Sequence, residues 1–122
     1  MSEMNVEGIL KKMEEMIGEE PRPQVLFSKI LPEWIPRQMD ERQFVMRLES
    51  IPEKYKHLIM IAVASALQCE LCTETFVKIA KRRGVSEREI AEALLVARFA
   101  LASTIFATAT PALEWLVGDD EE

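Results

Sequence analysis

Apolar positions recur at helical spacing along much of this chain. Between Ser2 and Ile17, the residues Val6, Ile9, Leu10, Met13, Met16 and Ile17 share one face with Lys and Glu opposite, which predicts an amphipathic helix stopped by Gly18. The segment Glu19 to Pro23 cannot continue it, and the apolar stretch from Val25 to Leu31, closed off by Pro32 and Pro36, predicts a helix of one to two turns. Trp34 and Ile35 form an apolar knuckle between those two prolines, placed to pack on the domain or on a neighbouring subunit. Arg37 to Leu48 suits a further helix with Met39, Phe44, Val45 and Leu48 turned inward.

Ser50-Ile51-Pro52-Glu53 is a helix start: Ser50 can cap, Glu53 can reach back to it, and Pro52 sits in a first turn where it loses no hydrogen bond. The ten residues from Leu58 to Leu67 carry no charge or strongly polar group, which predicts a helix surrounded by protein on every side and too short for a bilayer. No Gly or Pro occurs between Glu53 and Arg83, yet one helix of about thirty residues would be unusual, so a break is expected beside Cys69. Beyond it, Cys69, Cys72, Phe76, Ile79 and Ala80 form one stripe with Glu74, Lys78, Lys81 and Arg82 opposite, turning both cysteines inward. Gly84 ends that helix. Ser86 and Glu89 form a capping box that opens a long helix from Glu87 to about Thr108, and Pro111 is expected to start a last short helix through Val117. The uncharged run from Phe99 to Leu113 is short and polar for a membrane span, and its alanines suit close packing within the domain or across a subunit contact.

Composition sharpens this picture. At 122 residues the length suits a single domain, and 48% apolar residues with 7% aromatic and few Gly and Pro point to an all-α fold. Within residues 1–122 the pattern divides into an N-terminal helical extension (1–50), a core holding the cysteines (51–117) and an acidic tail (118–122). The net charge of -6 argues against nucleic acid as a partner, and Lys81-Arg82-Arg83 reads as a solvated helix end. Residues 1–20 lack the apolar block of a signal peptide, which makes the cytoplasm the expected compartment and a reversible disulfide more natural there than a permanent one.

The chemistry rests on Cys69 and Cys72, the only two cysteines, spaced i and i+3. At the first turn of a helix such a pair can close into a disulfide, and unpaired amides there favour a thiolate. With His57 the only histidine, a four-ligand Cys and His zinc site within the chain is not expected. The bland reading is that both thiols are small core residues. Glu70 and Glu74 lie close in sequence and would raise a thiol's pKa, giving a sluggish nucleophile, or serve as substitute bases if turned inward.

The stretch from Lys56 to Leu113 resembles the carboxymuconolactone decarboxylase and AhpD-like family. The likeness runs through the apolar helix into Gln68-Cys69-Glu70-Leu71-Cys72, then Gly84-Val85-Ser86, the segment Glu89 to Leu94, and Pro111-Ala112-Leu113. It implies an AhpD-like bundle of about six helices, assembled as a trimer or hexamer; no cofactor or metal is expected. For the redox branch it further implies reduction of a peroxide or a partner's disulfide through Cys69 and Cys72, with an unidentified reducing partner and no membrane. That branch places a Glu twelve positions before the first Cys and a His four positions after the second; here those positions hold His57 and Phe76. Position 57 lies about 18 Å along its helix from Cys69 and position 76 about 10 Å back along the next, so Phe76 interrupts the relay at its stepping stone. His57 is thus a catalytic candidate with Cys69 and Cys72, against its reading as a partly exposed surface or interface histidine. The rival to a redox protein is a non-enzymatic helical scaffold or binding subunit that kept the fold and lost the relay. A decarboxylase or lactone-processing enzyme has less support, because no paired carboxylates or anion-binding loop stand out.

Overall fold

The computed structural model describes residues 5–118, and every regular element among them is helical. The order is α1 (Val6–Ile17), α2 (Arg22–Ser28), α3 (Trp34–Arg47), α4 (Glu53–Ala66), α5 (Glu70–Arg82) and α6 (Glu87–Gly118). The expected start of the first helix at Ser2 and most of the acidic tail lie outside the described residues. Asn5 caps α1, its Oδ1 accepting from the Gly8 amide at 2.7 Å, and Gly18 closes the helix with φ 93.

Two cores carry the packing. Ile61 of α4, Ala80 of α5, Val85 and Ile90 of α6 form one, with Leu58, Phe76 and Val77 against it. Ile9 of α1 with Ile35 and Met39 of α3 form the other, flanked by Val6, Leu10 and Met13. α4 packs against both α5 and α6, while α1 bridges the two cores by touching α5 as well as α3. The knuckle Trp34-Ile35 is the first turn of α3, not a separate loop: Pro36 falls within that turn, where its missing amide costs nothing.

Four expectations need correction. Of the residues expected to turn inward on α3, Met39 is buried but Phe44, Val45 and Leu48 are exposed. Ser50 does not cap α4; Pro52 holds the cap position with no side-chain bond, because the Glu53 carboxylate is drawn to Arg83 instead of reaching back. Pro111 does not start a new helix. It lies inside α6, a single helix of 32 residues, which loses one backbone bond at that point; the Thr110 hydroxyl bonds to the Phe106 carbonyl at 2.9 Å alongside it. Nor is the apolar part of α4 surrounded: Ile61 and Ala64 are buried, but Ile59, Val63 and Leu67 are exposed.

The last twenty residues of α6, about 30 Å of helix, carry Phe99, Phe106 and Trp115 into solvent at 75–81% exposure. Only Ile90 of this helix is buried. By length and composition α6 could cross a bilayer.

Candidate active site

The break between α4 and α5 builds the thiol site. Gln68 adopts φ 62, in the left-handed region, and turns the chain so that Cys69, in extended conformation, becomes the N-cap of α5. Its Sγ occupies the place usually taken by a Ser or Asp oxygen and accepts the Cys72 amide at 3.3 Å. Both cysteines are free thiols and half-buried. The Cys72 thiol donates to Cys69, and that bond, followed by the Cys72 amide, lowers the Cys69 pKa; the same bond, then burial and the charge on Cys69, raises that of Cys72. The pair is therefore biased one way: Cys69 gives up its proton more readily than Cys72. Neither Glu70 nor Glu74 opposes that lowering, and the Glu74 carboxylate is turned to Lys78 at 2.8 Å.

His57 lies at the opposite end of the α4–α5 hairpin, and it is not a surface histidine. It is 2% exposed, on the same helical face as the buried Ile61 and Ala64. Its ring Nε2 lies 3.1 Å from Glu53 Oε2. Arg83 clamps the same carboxylate, with Nε donating to Oε2 at 2.7 Å and a terminal nitrogen to Oε1 at 3.1 Å. The Arg83 bonds first, and that from His57 second, hold the Glu53 carboxyl at about 2. His57 Nδ1 is buried without a partner among the described residues. Next to this cluster, Lys54 pairs with Glu89 at 2.8 Å; that bond, then the Ser86 amide, holds the Glu89 carboxyl at about 2 as well. The Ser86 and Glu89 box itself is formed as expected, at 3.0 and 2.9 Å.

Of the three predicted site residues, Cys69 and Cys72 come together and His57 stays apart. Phe76 stands between the two ends, packed against the core of Ile61 and Ala80 and also lining a cavity of about 610 Å³ into which Cys72 opens. His57 and Glu53 line two further cavities, of about 500 and 410 Å³. The partners Glu53 and Arg83 were not singled out from the sequence. The signal for Glu53 was its position four residues before His57, on one helical face. Among the described residues no group of three or more His, Cys, Asp or Glu side chains could hold a metal ion. Two neighbouring thiols of unlike pKa are suited to one task in particular, the exchange of two electrons for a disulfide.

The model of the carboxymuconolactone decarboxylase family matches residues 32–115. The chain belongs to the carboxymuconolactone decarboxylase family. Residues 1–31, which include α1 and α2, lie outside that match. A relative in Paracoccus denitrificans, described as uncharacterized protein 4 in the cox locus, is 39% identical over 64 residues, covering 52% of this chain and 58% of its own length. A crystal structure of a protein from Methanobacterium thermoautotrophicum superposes with a TM-score of 0.64 at 31% identity, covering 70% of this chain and 97% of that one. Helical architecture and family membership thus agree with the resemblance read in the sequence.

Proposed function

We propose that this member of the carboxymuconolactone decarboxylase family is a thiol-disulfide redox protein that reduces a peroxide or a partner's disulfide through Cys69 and Cys72. The observation that carries the reading is the capping geometry at α5, which sets two half-buried thiols side by side with the Cys69 pKa lowered and the Cys72 pKa raised. In the peroxide reaction, the Cys69 thiolate attacks the O–O bond and keeps one oxygen as a sulfenic acid, while the departing alkoxide takes the Cys72 proton. Cys72, now a thiolate, attacks the Cys69 sulfur; the S–O bond breaks, the S–S bond forms, and the hydroxide that leaves takes up the proton Cys69 had released to solvent, giving water. The peroxide has gained two electrons and the dithiol has lost them. A second dithiol, by exchange, restores the pair. Cys72 thereby supplies the proton that a longer relay would deliver, and His57, at the far end of the hairpin, takes no direct part.

We read the protein as soluble and cytoplasmic, and as assembled with further copies of itself into a trimer or hexamer; the exposed apolar faces of α4 and α6 support the assembly. The experiment is direct. Mild oxidation of the reduced protein should remove two hydrogens by mass, and hydrogen peroxide should be consumed in step with disulfide formation. Ordinary thiol pKa values near 8.5 at both cysteines, with no peroxide consumed, would overturn it. One observation favours a second reading, a non-enzymatic helical scaffold: Phe76 fills core at the position where the redox branch carries a proton-handling histidine. Under that reading the thiols remain unoxidised when peroxide is present.

A further inference from the structure

The cavity beside Cys72 is lined largely by apolar side chains drawn from both parts of the chain. Met13 and Met16 come from α1, Trp34 and Met46 from α3, and Met60 from α4. Methionine is the side chain that best adapts its shape to a flexible apolar guest. At about 610 Å³ the space is within the range of small-molecule pockets.

Its neighbour of about 410 Å³ shares Met16, Arg42, Met46 and Ile79 with it, so the two spaces adjoin across those residues. The second space differs in kind. Lys12, Arg42, Arg82 and Arg83 face it against only two carboxylates, Glu15 and Glu53, in a chain whose net charge is -6. Arg42 occupies the junction half-buried, with no carboxylate in ion-pair range among the described residues; burial lowers its pKa, and the charge of Glu53 offsets this only in part. His57, 2% exposed and with Nδ1 unpartnered, lines the same space.

We propose that the joined cavities bind a medium-chain carboxylic acid, its carboxylate on Arg42 at the junction and its hydrocarbon chain among the methionines towards Cys72. A half-buried guanidinium with no carboxylate in ion-pair range is a fork awaiting one. The methionines favour an alkyl chain over a wholly polar anion in the larger space, whose lining also carries Glu19, Glu20 and Glu41 against Arg22, and Arg42 separates an acid from an alcohol of equal length. This binding does not depend on turnover by the thiols.

The test uses the full chain carrying Trp115→Phe, which leaves Trp34 as the sole indole, and decanoate as the probe. Calorimetry should give one saturable decanoate per chain, with a shift in Trp34 emission that acetate does not produce. Arg42→Gln should weaken decanoate about tenfold or more while leaving decanol binding unchanged, and Arg42→Lys should retain most of the decanoate affinity. Several decanoates per chain with no Trp34 response, as in coating of the exposed α6 face, would overturn the proposal. So would absence of binding, or equal loss of decanoate and decanol in Arg42→Gln. Decanoate binding by a chain whose thiols prove inert to peroxide would sink the redox reading and leave this one standing.

Discussion

The two ends of the α4–α5 hairpin have been put to opposite uses. At one end the turn through Gln68 leaves Cys69 and Cys72 half-exposed, tied only to each other and to the amides of a helix start. At the other, His57 is sealed beneath Glu53, and Glu53 is clamped by Arg83. The thiols are held loosely, by donors that favour the charged form of Cys69; the imidazole is buried against the Glu53 carboxylate. The difference teaches that a titratable residue close to a reactive pair in the family pattern need not share its chemistry once the residue between them, Phe76, has become part of the core.

Breaking the thiol end should have the largest effect. Cys69→Ser should abolish disulfide formation and peroxide consumption, while Cys72→Ser should leave Cys69 oxidised to a sulfenic acid that a cyclic-dione trap captures, as read by mass. Both variants leave the hairpin's other end untouched, so their unfolding midpoints should stay close to that of the parent.

Joining the two ends is the next test. Phe76→His places a proton carrier between them and should raise the rate of peroxide consumption by about 10²-fold, the lower bound typical of a positioned acid-base group. Stability should fall by about 1–3 kcal/mol for a polar ring in an apolar core, measured by denaturant unfolding.

At the charged end, Glu53→Gln removes a partly exposed ion pair and should cost about 1 kcal/mol, with no change in the alkylation rate of Cys69. The pH profile gives the sign. The Glu53 carboxyl is held at about 2 against an ordinary 4.5, so its stabilisation is fully present above about 4.5 and is lost as pH falls through about 2. The parent's thermal midpoint should therefore drop across that window more steeply than the variant's. The smallest effect belongs to the turn: Gln68→Gly should stabilise by about 0.5 kcal/mol, because glycine adopts the left-handed region without a Cβ clash and gives back part of that in chain entropy.

Much of the scaffold was legible because local signals and tertiary packing agree. The Ser86 and Glu89 box, the stop at Gly84 and the break beside Cys69 are each set within a few residues, and each formed. What failed did so for long-range reasons. Ser50 looked like a cap, but Arg83, thirty residues on, competes for the same Glu53 carboxylate. His57 looked exposed beside Lys54, Tyr55 and Lys56, although its phase with Ile61 and Ala64 already placed it on the buried face. Pro111 looked like a boundary, and a helix otherwise rich in apolar residues carried through it. For Cys69 the sequence offered both signs, a lowered pKa from a helix start and a raised one from Glu70 and Glu74; the Cys72 thiol, and after it the cap amide, decide for the lowering.

Arg82 has a reach that the family pattern alone does not suggest. Its guanidinium crosses from α5 to donate to the Met16 carbonyl at 2.6 Å, at the end of α1, and it lies so close over Gly18 that a Cβ there would collide with it. A residue inside the family's shared segment thus rivets down a segment that lies outside it, and the roof of methionines over Cys72 hangs from that fastening. The bareness of Gly18 leaves the Arg82 guanidinium room to lie across the end of α1.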